Sequence, residues 1–207
     1  IDGKTAYEHR KNIGKQLAKE NDINADIVVP VPDSGNAAAL GFAQHLNMNY
    51  EHGLIRNHYV GRTFIEPTNN IRSLGVKLKL SSTKSIVKNK SIILIDDSLV
   101  RGTTCYKIVK MLYESGAKEV HIRIACPEIK YPDFYGVDMP TKEELLAYKK
   151  NNREMCEYIK AKSLKFLSID GLYKALINEK RKSDYPQFSD HYFTGDYPVK
   201  PLDNLQS

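Results

Sequence analysis

The chain has 207 residues, 27% of them charged and 41% apolar, enough to bury a full core as one large domain or as one domain with an extension. No apolar run approaches the length of a membrane span, and three isolated cysteines (Cys105, Cys126, Cys156) exclude a disulfide framework and fit a reducing cytoplasm. A net charge of +6 suits nucleic acid or a ligand with several phosphates, but the tyrosines are scattered and no basic helix or zinc pattern appears, so nucleic acid is set aside.

The chain opens at Ile1 without a methionine, as a fragment or processed product would. Residues 5–20 carry Ile13 and Leu17 among many charges and read as an exposed amphipathic helix. A turn at 21–24 leads to the strand 26–32, which runs into Asp33-Ser34-Gly35-Asn36 and a small-residue helix reaching about Leu46. Two readings of that turn stand side by side. Asp33 or Ser34 would cap the helix well, and Ser34 and Gly35 also sit where backbone N–H groups converge on an anion. Residues 50–55 form a third strand candidate. Between Arg56 and Lys90 the only acid is Glu66, against Arg56, Arg62, Arg72, Lys77, Lys79, Lys84, Lys88 and Lys90. Such a segment is either a solvated basic face or a lid that closes over an anionic ligand.

The most specific stretch is Ser91-Ile92-Ile93-Leu94-Ile95-Asp96-Asp97-Ser98-Leu99-Val100-Arg101-Gly102-Thr103-Thr104. Four aliphatic residues read as a buried central strand of a parallel sheet, and such strands present ligands at their carboxyl ends. Gly102, Thr103 and Thr104 offer unobstructed N–H groups and two hydroxyls to a phosphate. The carboxylate pair Asp96–Asp97 suits ribose hydroxyls or a divalent metal. Beyond it, 118–125 partly alternates apolar and polar residues and reads as a strand nearer the sheet edge than Ile92 to Ile95. Residues 127–140 form a long proline-bearing loop. Thr141 with Glu144 resembles a capping box opening a helix to about Lys149, and a second helix spans 152–160. A short strand at 164–167, a helix at 169–177 and a polar, extended tail from about residue 181 complete the chain.

The stretch 91–104 resembles the phosphoribosyl diphosphate (PRPP) signature of the type I phosphoribosyltransferases. Arg56-Asn57-His58-Tyr59-Val60-Gly61-Arg62-Thr63-Phe64-Ile65, with Pro30-Val31-Pro32-Asp33-Ser34 upstream and Val76-Lys77-Leu78-Lys79-Leu80 downstream, is similar to the flexible-loop region of the glutamine phosphoribosyldiphosphate amidotransferase family. Pro127-Glu128-Ile129 and Tyr135-Gly136-Val137-Asp138-Met139-Pro140 match it too. The resemblance implies an α/β fold, a mostly parallel sheet flanked by helices with a basic lid at about 56–80. A phosphoribosyltransferase domain would fill residues 1–180 and a C-terminal tail 181–207, with the glutaminase domain absent from this chain.

The resemblance also implies roles. Asp96 and Asp97 would hold the ribose hydroxyls, and Ser98, Val100, Arg101, Gly102, Thr103 and Thr104 the 5′-phosphate. Asp33, Ser34 and Gly35 would bind diphosphate with Lys79, and Ser34, Asp96 and Asp97 would hold Mg2+. The catalytic set would be Asp96, Asp97, Arg56, Tyr59 and Arg62. Diphosphate would be displaced from PRPP by ammonia, drawn from glutamine in the full enzyme, to give 5-phosphoribosylamine. Purine nucleotides are implied as feedback inhibitors and a homo-oligomer as the assembly, in the cytoplasm. A PRPP-sensing regulator without catalysis is the competing reading. Some members hold an iron–sulfur cluster on cysteines, but Asp133, Ser189 and Tyr192 stand at the matching positions here. Such clusters need thiolates, so none is expected.

Overall fold

Ile92 to Ile95 are fully buried, and their continuous apolar character is what a strand covered on both faces requires. They belong to β4 (Ser91–Asp96), which lies between β1 (Ile27–Pro30) and β5 (Glu119–Ile124); β6 (Ser163–Phe166) follows β5, and all pairings in this four-stranded sheet are parallel. The computed structural model describes residues 3–21, 23–57, 80–137, 141–182, 184 and 186–199.

Helices cover both faces. On one side α1 (Ala6–Glu20) and α2 (Asn36–Leu46) join Val28, Ile93 and Ile95 in a core that includes Leu17 and Phe42. On the other, α3 (Lys84–Val87), α4 (Thr103–Glu114), α5 (Leu146–Lys149) and α6 (Asn152–Ile159) supply Val87, Ile108, Leu112, Leu146 and Met155 around Ile92, Leu94 and Ile122. Each such side chain contributes on the order of 1.5–3 kcal/mol of transfer free energy, so this two-sided burial dominates the stability of the fold. The α/β class and helix-flanked parallel sheet match the expectation.

Other elements follow it in part and differ in instructive ways. Helix α1 begins with a capping box in which Thr5 and Glu8 satisfy each other's backbone N–H groups, and it is amphipathic as expected, burying His9, Gly14, Leu17 and Ala18 while Tyr7, Glu8, Arg10, Lys19 and Glu20 stay exposed. Gly14 backs onto the Ala38 carbonyl and Gly41 onto that of Lys11, where an added Cβ would come within 1.9 and 2.0 Å. Glycines on both helices therefore permit their close crossing. The 50–55 candidate divides into a single bridge from Tyr50 to Val28 and a strand β2 (Leu54–Arg56), paired antiparallel with β3 (Leu80–Ser82).

Strand β5 is an inner strand, although it does lie beside the edge strand β6. Its polar residues are buried because they find partners there: Arg123 donates to Ile122 O and Ser163 Oγ, and His121 pairs with Ser163 and Glu119. The box expected at Thr141 does not form. Lys142–Glu144 is a short 3-10 turn whose Thr141 makes no capping bond, and the reciprocal box sits at Asn151 and Glu154, opening α6.

The expectation of an extended tail from residue 181 is corrected over 186–199. After α7 (Ile169–Ile177), Asp190 is 3% exposed, accepting from Tyr173 Oη at 2.8 Å and from Arg181 Nε at 2.6 Å. A helical turn α8 (His191–Thr194) follows, and the Tyr192 carbonyl accepts from the backbone N–H groups of Lys130 and Tyr131. A polar composition reads as a solvated tail, yet here the polar groups pair with one another and bury.

Candidate functional site

Strands β1 and β4 run parallel in register, with Pro30 opposite Ile95, so their carboxyl ends deliver two turns to one edge of the sheet. The backbone joins them directly: Val31 N–H donates to Ile95 O at 2.8 Å. The first turn closes through Gly35 N–H on Val31 O at 2.9 Å, and the Pro32–Asp33 peptide within it is cis. Gly35, not Asp33 or Ser34, occupies the N-cap of α2, and no side chain caps that helix. The capping reading of this turn is thereby set aside; Asn36 N–H turns back to Asp33 O at 3.3 Å, and the N–H groups that follow it at the start of this eleven-residue helix have no side-chain cap among the described residues. Asn36 Oδ1 is buried there without a hydrogen-bond partner among the described residues.

The second turn follows Asp96. Asp97 N–H donates to Asp96 Oδ1 at 2.9 Å, and Ser98 Oγ lies 3.4 Å from Asp97 Oδ1. Burial, then the neighbouring Asp97 charge, pushes the Asp96 carboxyl well above the usual carboxylate range. Two carboxyls so placed share a proton readily and gain from a cation between them. Gly102 caps α4 at φ 75°, a left-handed conformation that suits glycine, again without a side-chain cap. Thr103 and Thr104 follow, both exposed, so the helix opens with two hydroxyls and without a side-chain cap among the described residues.

The structure brings Asp33, Ser34, Gly35, Asp96, Asp97, Ser98, Val100, Gly102, Thr103 and Thr104 to this edge through those two turns. Arg56 joins them from the end of β2 by pairing with Asp33. Arg101 is held differently from expectation. Its guanidinium grips Glu144 with two bonds, Nε to Oε1 at 3.3 Å and Nη2 to Oε2 at 3.1 Å. Tyr59, Arg62, His58 and Lys79 lie outside the described residues.

Sequence reading missed Glu144, Leu146 and Tyr158, which stand behind the second turn. Leu146 N–H donates to Val100 O at 2.9 Å, and a Cβ on Gly102 would lie 2.6 Å from Leu146 Cδ2 and 3.2 Å from Tyr158 Cε1. Glu144, which the sequence suggests as a capping partner of Thr141, forks onto Arg101 instead. Cys105 and Cys126 flank the acidic pair, and burial pushes both thiols far up, helped by the Asp96 charge at Cys105 and by the Asp97 and Asp96 charges at Cys126. They are packing groups there rather than nucleophiles.

Away from this edge, Asp133, Ser189 and Tyr192 meet around His191. The imidazole bonds Asp133 Oδ1 at 2.8 Å and Ser189 Oγ at 3.0 Å, and Asp133 also accepts from the N–H groups of Tyr135 and Val137. Burial opposes ionisation of Asp133, but the Val137 N–H, the His191 ring and the Tyr135 N–H outweigh it and hold this carboxyl below its usual range. These oxygen and nitrogen groups satisfy one another and pin 186–199 to the 127–137 loop.

Residues 4–135 match the family model described as a phosphoribosyl transferase domain. The chain is 56% identical over 204 residues to an amidophosphoribosyltransferase of Rhizobium etli, covering 98% of this chain and 41% of that protein. It is 52% identical over 176 residues to one of Methanocaldococcus jannaschii, covering 85% of this chain and 37% of that protein. It thus spans about two fifths of the length of these relatives. A solved structure of the glutamine PRPP amidotransferase of B. subtilis, complexed with ADP and GMP, superposes with a TM-score of 0.87 at 45% identity, over 99% of this chain and 45% of that one.

Proposed function

The chain belongs to the phosphoribosyl transferase domain family, and we propose from that premise that it is the phosphoribosyltransferase part of an amidophosphoribosyltransferase. It binds PRPP and displaces diphosphate from C1 with ammonia, giving 5-phosphoribosylamine for purine synthesis. The observation that carries this reading is the pair of uncapped helix N-termini, α2 and α4, held side by side by the Val31–Ile95 hydrogen bond with two carboxylates between them. Two anion sites separated by a diol-binding acidic pair are what a sugar bearing a phosphate and a diphosphate demands.

The residues divide the work accordingly. The N–H groups of Gly102, Thr103 and Thr104, with the threonine hydroxyls, hold the 5′-phosphate. Asp96 and Asp97 accept from the ribose hydroxyls, and their negative charge favours the positive character that grows at C1. The 33–36 turn holds diphosphate, with Arg56 supplying a cation beside it. The donor set of Ser34, Asp96 and Asp97 is all oxygen and fits Mg2+, which takes one or two carboxylates and completes its shell with water and substrate phosphate. When bound, Mg2+ neutralises charge on the departing diphosphate. Ammonia is already a nucleophile, so no strong base is needed; Tyr59 and Arg62 close over the substrate with Lys79 and exclude competing water.

We assign residues 1–180 to this domain, with the lid at about 56–80, and 181–207 to a C-terminal segment. In the complete protein, glutamine supplies the ammonia. Purine nucleotides inhibit it by competing for the same phosphate sites, an extension supported by the ADP and GMP of the B. subtilis complex. A homo-oligomer in the cytoplasm completes the reading. The test is diphosphate release from PRPP in the presence of Mg2+ and an ammonium salt. Release that depends on ammonia supports the enzyme; tight PRPP binding without turnover overturns it in favour of a sensor.

A further inference from the structure

Behind the 97–104 turn stands a brace that none of the proposed substrate contacts includes. Segment 141–149 reaches it at three consecutive residues. Leu146 N–H donates to Val100 O, Glu144 takes Arg101 in a two-bond fork, and Leu146 with Tyr158 fills the space against Gly102. The brace is itself anchored, because Leu145, Leu146 and Ala147 are buried.

We infer that Glu144 is a positioning residue for the 5′-phosphate site, acting through Arg101, and that the Arg101 guanidinium is part of the brace and not a phosphate ligand. The inference rests on the phosphoribosyl reading above. Its physical basis is the peptide unit between Val100 and Arg101. A trans peptide directs its C=O and N–H to opposite sides. With Val100 O held toward Leu146, the Arg101 N–H faces away from the brace, on the side left to a ligand. Arg101's side chain is drawn back onto Glu144, so its charge and its backbone donor point in different directions. Gly102 then enters the left-handed conformation that aims the first N–H groups of α4. A loop whose donors are fixed before the ligand arrives does not spend binding energy on ordering them.

The test uses ribose 5-phosphate as the binding probe, since it engages the second turn without the diphosphate turn, together with steady-state titration of PRPP. E144Q removes the charge of the fork and should weaken ribose 5-phosphate about three- to fivefold, the range open to a half-exposed two-bond ion pair. The KM for PRPP should rise by the same factor while kcat stays within twofold. R101A should lose the same factor, and the double variant should lose no more than either single one, because both remove one interaction. Two results overturn the inference while leaving the function reading intact: E144Q tightening the probe as Arg101 is released onto phosphate, or R101A costing far more than E144Q. Unchanged binding in E144Q and R101A also overturns it. Absence of ribose 5-phosphate binding by the unaltered chain overturns the function reading itself.

Discussion

Gly35 is where the two halves of the site touch most closely, and Gly35→Ala tests whether that contact matters. The backbone there is φ −77°, ψ −14°, which alanine adopts freely, so any cost comes from contact and not from conformation. The added Cβ would stand 2.5 Å from Ile95 O and 2.8 Å from Val31 O. Both are backbone atoms, and the turn must retreat by about 1 Å to restore the roughly 3.5 Å of an ordinary contact. That retreat strains the Val31–Ile95 and Gly35–Val31 hydrogen bonds, 2.8 and 2.9 Å long. Strained and not broken, the two bonds together lose about 1 kcal/mol, and overpacking of this kind costs about 1–3 kcal/mol, so the total is about 2–4 kcal/mol. At about 2–4 °C per kcal/mol for a chain of this size, calorimetry should show Tm falling by about 5–15 °C. The same shift moves Ser34 away from Asp96, and a 1 Å misplacement is worth up to about 100-fold in rate, so kcat/KM for PRPP should fall steeply even well below Tm. Glycine-to-alanine replacement in a compatible backbone normally stabilises by about 0.4–1 kcal/mol through the unfolded chain. An unchanged or raised Tm with an unchanged KM would therefore refute the contact argument outright.

Asp97→Asn should abolish ammonia-dependent diphosphate release while the circular dichroism spectrum and the urea midpoint stay close to those of the unaltered chain; a near-normal rate would show that the acidic pair has been misassigned. Because burial and Asp97 raise the Asp96 carboxyl above its usual range, Asp96 keeps its proton at pH values where the unfolded chain has lost it. Stability from this group is gained as pH falls toward the ordinary carboxylate value and lost as pH rises through the raised one. Binding of Mg2+ with PRPP should then release protons, measured by calorimetry in buffers of different ionisation enthalpy, and Asp96→Asn should remove that release; a buffer-independent heat would contradict it. Asp190→Ala leaves the Arg181 guanidinium to Asp196 alone and removes the acceptor of the Tyr173 hydroxyl, whose pKa burial and Asp190 push up to about 12. The expected loss is about 1–3 kcal/mol, read as proteolysis after residue 180. Burial would raise the Asp190 carboxyl, but the Arg181 and Tyr173 bonds outweigh it and lower it. The unaltered segment should accordingly stay folded below the usual carboxylate range and open only as pH falls through that lowered value; release near the ordinary value would argue against the pairing.

How much of this was legible in the sequence depended on how far each cause reaches along the chain. Helix α7 fell at 169–177 because its signals are local: Ser168 caps Gly171 N–H, and Asn178 ends it in the left-handed conformation. Strand β4 was legible because continuous burial leaves its mark on every residue. The burial of strand β5 was not legible, since His121 and Arg123 look like solvent-facing positions until Ser163, forty residues away, is seen to satisfy them. Glu144 looked like a helix cap because Thr141 lies three residues before it, yet a charged fork to Arg101 outcompetes a capping bond. The same happened at Asp190, whose partners Tyr173 and Arg181 turn a polar tail into a buried cluster.

That pattern has a consequence for the site itself. Each turn carries its own short-range signature, a strand running into small and acidic residues, but the one at 33–36 taken alone reads as well as a helix cap. What makes them one site is the register that sets Pro30 beside Ile95 and the single hydrogen bond that follows from it. Register in a parallel sheet is set by which side chains bury on which face, and a slip of one residue would turn Ile93 and Ile95 away from α1 and α2. The spacing between the two anion sites is thus fixed by the aliphatic core beneath them, Ile92 to Ile95 above all. A cavity cut there, as by Ile93→Ala, would disturb the distance between the phosphate turns without touching either one.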